Sequence, residues 1–112
     1  QILQEIADIY PEISIIFVDA FSIEPLSITK ERELDLLLID VTTDMDGTLN
    51  LISRFSILLK KGGKLVAAFK IPNISKFVLQ VIDSIENLGF EKVKSFHLNH
   101  SKKEVHIIAN HM

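Results

Sequence analysis

The sequence lacks several features that would assign a function directly. It contains no cysteine, which excludes disulfides, thiolate metal sites and cysteine nucleophiles. It has only four glycines, and neither GxGxxG nor GxxxxGK[ST] occurs among them, so no glycine-rich phosphate loop is predicted. No apolar run approaches the roughly 20 residues that cross a bilayer, and no basic segment of a signal peptide opens the chain. These absences favour a cytoplasmic domain that does not enter a membrane.

The composition is that of one folded globular domain. The chain has 112 residues, of which 47% are hydrophobic and 24% charged, enough for one core. Its net charge of -3 gives no global basic field, so binding of nucleic acid would depend on local lysines or on a protein partner. No metal is expected, because the spacing of the four histidines matches no helical HxxxH ligand pair.

The stretch from Glu33 to Lys70 predicts two parallel strands joined by a helix. Leu34 to Ile39 is an apolar run of strand length, as expected for a strand covered on both faces, and Leu65 to Phe69 is another. Asp40 directly follows the first run, and Lys70 ends the second. The carboxyl ends of parallel strands lie at one sheet edge, where α/β sheets place their ligands. We therefore expect Asp40 and Lys70 to be neighbours there.

The segment between these strands predicts a helix of about four turns. Thr43 or Asp44 would cap its start. The Lys60-Lys61 pair favours its carboxyl end, and the Gly62-Gly63 pair would stop it. Apolar residues fall at helical spacing along it, namely Leu49, Ile52, Phe55, Leu58 and Leu59.

The amino-terminal part predicts a helix followed by a strand. Apolar residues recur at helical spacing from Gln1 to Tyr10, and Pro11 ends the pattern. Ile13 to Val18 is a further apolar run of strand length, and Asp19 closes it with a carboxylate. Because the chain begins within a helical pattern and without methionine, we expect it to be part of a longer protein.

The carboxyl-terminal part predicts a helix followed by a hairpin. Asn73 or Ser75 would cap the helix, and Gly89 would end it. Lys92 to His97 alternates like a strand with one wetter face, and Glu104 to Ala109 would return antiparallel to it.

Asp40, Lys70 and Glu104 form the candidate site. The strand that Glu104 opens starts at the same sheet edge if it pairs with the strand that Lys70 ends. A lysine amine near two carboxylates can hold and orient a hydroxyl, and burial and neighbouring charges change its pKa. Charged residues are also common where strands emerge into solvent, so an ordinary structural explanation stays open.

Several stretches resemble Rossmann-type S-adenosylmethionine methyltransferases. An apolar strand ending in Asp, then a helix and LKKGGKLV, resembles the fourth strand, helix and fifth strand of that superfamily, and SIIFVDAF is similar to its third strand. The resemblance implies that Asp19 approaches the adenine of S-adenosylmethionine and that Ala20 and Asp40 also bind this cofactor. DLLLIDVTTDMDG also looks like the phosphoacceptor region of response-regulator receivers, but its loop lacks the expected proline and is too short.

Within the superfamily, the residues resemble RNA 2′-O-ribose methyltransferases of the fibrillarin and FtsJ-like kinds. Their active site is a Lys-Asp-Lys-Glu or Lys-Asp-Lys-His tetrad. Asp40 matches the Asp, Lys70 the second Lys by its fibrillarin-like distance from the glycine pair, and Glu104 the Glu, in KEVHIIA, which is similar to the FtsJ-like REVYIVA. The resemblance implies that Lys70 orients or helps to deprotonate the ribose hydroxyl. It also implies that Asp40 supports this lysine near the methyl donor and that Glu104 completes the network.

The resemblance covers only the carboxyl-terminal part of the family's domain. The cofactor-binding glycine loop, the ribose-binding acid and the first tetrad lysine have no counterpart. We therefore expect residues 1–112 to form one incomplete α/β Rossmann-like sheet, mostly parallel with one antiparallel strand near the carboxyl terminus. The implied function is methylation of RNA, reached directly or through a protein partner. Two alternatives stay open, a non-catalytic Rossmann-like binding module and a methyltransferase with a small-molecule or protein substrate.

Overall fold

The computed structural model describes residues 20–70, 74–96 and 104–112. Its strands and helices, in chain order, are β1 (Leu34–Ile39), α1 (Met45–Phe55), β2 (Leu59–Lys70), α2 (Ile74–Asn87), β3 (Phe90–Phe96) and β4 (Glu104–His111). Short 3-10 helices occupy Pro25–Ser27 and Ser56–Leu58. The helix predicted for residues 1–10, the strand predicted for 13–18 and the turn predicted for 99–103 lie outside the described residues.

The four strands form one sheet in the order β1-β2-β4-β3. β1 pairs parallel with β2, and β4 runs antiparallel to both β2 and β3. Three strands therefore point one way and β4 points the other. The predicted incomplete Rossmann-like sheet with one antiparallel strand near the carboxyl terminus is confirmed for the described part of the chain. In that part, β1 is an edge strand.

One face of the sheet carries the hydrophobic core, because alternate residues of each strand point toward the two helices. β2 and β4 contribute Leu65, Ala67, Phe69, Val105, Ile107 and Ala109. α1 and α2 contribute Leu51, Ile52, Phe55, Val81 and Ile85 to the same cluster. Burial of each large apolar side chain stabilises the fold by about 1.5 to 3 kcal/mol. Among the described residues, no helix is both long enough and apolar enough to cross a membrane.

The other sheet face, here called the open face, is less covered. Leu36 and Leu38 of β1 are 54% and 57% exposed. Val66 and Ile108 of the next two strands are half-buried on the same face. The open face matters for function because side chains alternate between the two faces along each strand. This alternation places the charged residues at the strand ends on the open face.

Helix α1 starts as predicted but ends earlier. Its N-cap is Asp44, whose Oδ1 accepts a hydrogen bond of 2.7 Å from the Gly47 backbone N–H. The helix ends at Phe55, so the prediction that it continues to the glycine pair was wrong. Leu58 and Leu59 lie beyond the end of the helix. They continue its spacing of apolar residues only because both are buried in the core, which they enter after the chain has turned.

Strand β2 includes the residues that were predicted to form the end of the helix and the following turn. Leu34 pairs with Leu59 and Leu36 with Lys64, so two steps along β1 (36 - 34) face five along β2 (64 - 59). The extra residues bulge out of the ladder, with Gly62 at a φ of +80° that favours glycine. The Lys60-Lys61 pair is exposed in this bulge and does not cap a helix.

The carboxyl-terminal elements agree with the prediction except in their limits. Helix α2 begins at Ile74, so Ser75 lies inside its first turn and is not its N-cap, while Asn73 lies outside the described residues. Gly89 follows the helix with a φ of +99°, as expected for the glycine that ends it. β3 begins before Lys92, and β4 continues beyond Ala109 to His111.

Candidate functional site

The structure brings Asp40, Lys70 and Glu104 together at one edge of the sheet. Asp40 directly follows β1, Lys70 is the last residue of β2, and Glu104 is the first of β4. Lys70 and Glu104 are direct partners in the antiparallel ladder. The alternation of the strands puts all three side chains on the side of the open face. The predicted convergence is therefore confirmed as geometry.

Lys70 lies between the two carboxylates. Its Nζ donates a hydrogen bond to Asp40 Oδ1 at 2.5 Å and lies 3.4 Å from Glu104 Oε1. The Lys70 and Glu104 side chains are 29% and 28% exposed, whereas that of Asp40 is 63% exposed. A ligand can therefore reach the ammonium group from the side of Asp40.

The two carboxylates determine the charge state of Lys70. Burial by itself lowers the pKa of Lys70, but the hydrogen bond to Asp40 and the charges of Asp40 and Glu104 outweigh it. The net effect raises the pKa above its ordinary value of 10.5. Lys70 is thus an ammonium group at neutral pH. It donates hydrogen bonds and has no lone pair with which to accept a proton. This state fits orientation of a hydroxyl and disfavours removal of its proton by Lys70.

Sequence reasoning missed His106 and Phe96 as neighbours of this site. His106 Nε2 lies 3.8 Å from Glu104 Oε1. Its ring stacks on that of Phe96, the opposite residue in the ladder, with centroids 5.5 Å apart and an interplanar angle of 22°. The alternation in KEVHIIA was the available signal, because it places Glu104 and His106 on one face. The stacked rings form a flat wall beside Glu104.

Residues of β1, together with Asp40 and Val41 that follow it, line a groove of about 480 Å³. Ala20 and Ile28, from the segment before β1, also line it. Leu51 and Phe55 of α1 also line it. Asp40 is the only charged residue among the described residues that line the groove.

The predicted cofactor residues fall at this groove as far as the structure describes them. Ala20 and Asp40 both line it. Asp19 lies outside the described residues, so its predicted contact with adenine stays a prediction.

Comparison with known proteins gives a structural likeness without a match in sequence. No protein-family model matches the sequence, and no curated protein sequence matches it. A protein from Bordetella parapertussis has a TM-score of 0.65 and 17% identity, over 96% of this chain and 48% of that one. A SAM dependent methyltransferase from Archaeoglobus fulgidus has a TM-score of 0.60 and 16% identity, over 96% and 72%. The CurJ carbon methyltransferase has a TM-score of 0.63 and 14% identity, over 96% and 37%.

These likenesses show the fold. At identities of 14 to 17%, the chain shares a part of a Rossmann-like sheet with these three proteins of known structure, two of which are methyltransferases. The chain spans about half the length of the Bordetella protein, 48%, and 37% of the CurJ methyltransferase. Activity, substrate and partners therefore have to be argued from the site.

Proposed function

We propose that this chain belongs to an S-adenosylmethionine-dependent methyltransferase whose acceptor is a ribose 2′-hydroxyl of RNA. The observation that carries the proposal is Lys70, held between Asp40 and Glu104 at the carboxyl edge of β1 and β2. The neighbour from Archaeoglobus fulgidus, a SAM dependent methyltransferase, supports the choice of cofactor. The match of the three charged residues to the RNA methyltransferase tetrad supports the choice of acceptor.

The residues at this edge suit S-adenosylmethionine. The cofactor combines a planar adenine with a positively charged sulfonium. Apart from Asp40, the groove lining is apolar, and Ala20 lies in its wall. Asp40 adds an exposed carboxylate to the lining, and because two carboxylates face the single Lys70 ammonium, the cluster keeps one net negative charge, which favours a cation there. In the proposal Ala20, with Asp19 before it, holds the adenine, and Asp40 lies near the methyl donor.

The three charged residues then have separate tasks. When bound, S-adenosylmethionine supplies an electrophilic methyl group on a sulfonium sulfur. Lys70 donates a hydrogen bond to the acceptor oxygen and so aligns it for in-line attack, while Asp40 and Glu104 hold the ammonium in place. The acceptor oxygen forms a bond to the methyl carbon, the carbon–sulfur bond breaks with its electron pair left on sulfur, and the hydroxyl proton passes to a neighbouring carboxylate and then to water.

Charge bears on how RNA would reach the site. The chain has a net charge of -3, so it offers no general attraction to a polyanion. We therefore include a protein partner that presents the RNA. The same charge favours a second candidate, a small neutral or cationic acceptor, and the likeness to the CurJ carbon methyltransferase agrees with an acceptor atom other than a ribose oxygen.

Transfer of a labelled methyl group tests the proposal. The full-length protein is incubated with S-adenosylmethionine carrying a tritiated methyl group and with RNA of mixed sequence. A matched RNA whose riboses already carry 2′-O-methyl groups serves as the control. We expect label in the first RNA and none in the second. Equal labelling of both would place the methyl group on a base and contradict a ribose acceptor, and label found only in a small-molecule extract would favour the second candidate.

A further inference from the structure

We infer that Arg54 is a positioning residue for the cofactor, because it holds the loop of residues 20–28, which lines the groove together with Asp40. The inference rests on the proposed function, since it takes this groove as the place where S-adenosylmethionine binds. It concerns a residue that has no part in the charged cluster of Asp40, Lys70 and Glu104.

Arg54 makes two hydrogen bonds to the backbone of the loop. It lies half-buried in the last turn of α1. Its Nη1 donates to the Ala20 carbonyl oxygen at 2.7 Å, and its Nη2 donates to the Ile23 carbonyl oxygen. A guanidinium group presents these donors in a fixed planar fork, so the two bonds together set both the distance and the orientation of the loop.

The loop and the helix that Arg54 joins are both parts of the groove. Ala20 and Ile28 line it from the loop, and Phe55, next to Arg54 in sequence, lines it from α1. The guanidinium carbon of Arg54 also lies 5.5 Å from the centroid of the Phe55 ring. The Arg54 side chain therefore links the lining residues of the loop to those of α1. A shift of the loop would change the shape of the groove.

The remainder of the loop has a defined local structure that Arg54 can hold as a unit. The Ile28 backbone N–H donates to the Pro25 carbonyl at 3.0 Å, and Pro25 is buried. Beyond the loop, the Arg32 backbone N–H donates to the Ile57 carbonyl at 2.9 Å, which ties the following residues to the segment after α1. Loss of Arg54 would thus remove two contacts from the start of the loop, while the hydrogen bonds of its later part remain.

This geometry predicts an effect on affinity and not on the chemical step. Without Arg54, two carbonyl oxygens lose their charged donor, and the ligand must order the loop when it binds, which weakens binding. Arg54 contacts neither Lys70 nor Glu104 in the described structure, so the rate of methyl transfer at saturation should stay near that of the wild type. An Arg residue that only stabilised the fold would not separate KM from kcat in this way.

The test compares Arg54→Met and Arg54→Lys with Arg32→Met in the full-length protein. Arg32 is the matched control, because its side chain is 64% exposed and forms an ion pair with the exposed Glu31 at 3.8 Å. S-adenosylmethionine is titrated calorimetrically into each protein, and KM and kcat are measured where activity is found. Hydrogen exchange over residues 20–28 reports the loop directly and needs no activity.

We expect Arg54→Met to bind S-adenosylmethionine about tenfold more weakly, the loss typical of one hydrogen bond to a charged group. Arg54→Lys should recover part of the affinity, Arg32→Met should match the wild type, and exchange of residues 20–28 should be faster only in the Arg54 variants. Wild-type affinity in an Arg54→Met protein that melts near the wild-type temperature would overturn the inference. If Arg54→Met does not fold, the inference falls when Arg54→Lys shows wild-type affinity and wild-type exchange. A wild-type protein that binds no S-adenosylmethionine would instead overturn the proposed function.

Discussion

The two ends of strand β2 each carry a lysine beside a carboxylate, but the two arrangements differ in burial and in number of partners. At the amino end, Lys60 Nζ lies 3.1 Å from Asp35, and the two side chains are 48% and 87% exposed. At the carboxyl end, Lys70 is 29% exposed and faces two carboxylates, Asp40 and Glu104. The same residue types thus form an exposed pair at one end and a partly buried cluster at the other.

The difference separates an ordinary strand end from a candidate site. An exposed pair such as that of Lys60 contributes about 0 to 1 kcal/mol, because water and salt screen it. In the Lys70 cluster, the pKa of Lys70 itself is raised. The cluster also lies at the sheet edge where α/β proteins bind ligands, and its Asp40 lines a groove. Emergence of a strand into solvent explains Lys60 well, but it does not explain why two carboxylates share one half-buried ammonium.

The largest expected effect comes from removing the ammonium at the carboxyl end. Lys70→Met in the full-length protein should lower kcat for methyl transfer by about 100-fold or more, because the acceptor hydroxyl loses the group that orients it. Binding of S-adenosylmethionine should change little. Lys60→Met is the matched control and should retain wild-type kcat. Equal rates for the two variants would remove the distinction between the two ends of β2.

Loss of one of the two carboxylates should have a smaller effect. Glu104→Gln keeps the shape of the side chain and leaves Asp40 beside Lys70, so kcat should fall by about tenfold, less than the roughly 100-fold or more typical of losing an acid–base group. Glu91→Gln, at an exposed position of β3, is the control. Steady-state rates at saturating cofactor measure both. A decrease as large as that of Lys70→Met would mean that Glu104, and not Lys70, is the central group.

Asp19→Ala tests the cofactor side of the site. The predicted position of Asp19 at the end of a strand before Ala20 should place its carboxylate near the adenine. Its loss should weaken binding of S-adenosylmethionine by about 1 to 2 kcal/mol, the value typical of one hydrogen bond to a charged group. Calorimetric titration of the full-length variant measures this change. Unchanged affinity would show that Asp19 has no contact with the cofactor.

The smallest expected effect is the dependence of stability on pH. Because the pKa of Lys70 is raised in the folded state, its ammonium contributes stability fully below the unfolded value of 10.5 and loses that contribution as the pH rises through the folded value. In urea unfolding, the free energy of unfolding of the wild type should therefore exceed that of Lys70→Met at pH 8. The difference between the two proteins should shrink as the pH rises above 10.5. A difference that grows with pH, or one of equal size for Lys60→Met, would contradict the assignment.

The sequence was sufficient to predict the parts of the molecule that depend on local pattern and on general rules of sheets. β1 was predicted from one apolar run, and its limits at Leu34 and Ile39 agree with the structure. The meeting of Asp40, Lys70 and Glu104 followed from strand direction alone, since the ends of parallel strands and the start of an antiparallel strand share an edge.

The parts that the sequence did not predict depend on contacts between distant residues. β2 starts at Leu59 because this residue pairs with Leu34. The helical spacing of apolar residues near Leu58 predicted a helix there and gave no sign of this pairing. Arg54 reads as a polar residue of a helix surface, because its partners are backbone carbonyls 31 and 34 residues away, which carry no sequence signal. The same holds for the stacking of Phe96 on His106, which depends on the register of two strands.

The melting temperature of the full-length protein with and without S-adenosylmethionine tests the central claim most directly. A ligand that binds only the folded state at about 100 times its dissociation constant stabilises it by about 2.7 kcal/mol, so the midpoint should rise by several degrees. Adenosine triphosphate at the same concentration is the control for general binding of an adenine nucleotide. We predict a rise with S-adenosylmethionine that is absent or much smaller with the control. An unchanged midpoint across all S-adenosylmethionine concentrations would contradict a methyltransferase and favour a non-catalytic Rossmann-like binding module.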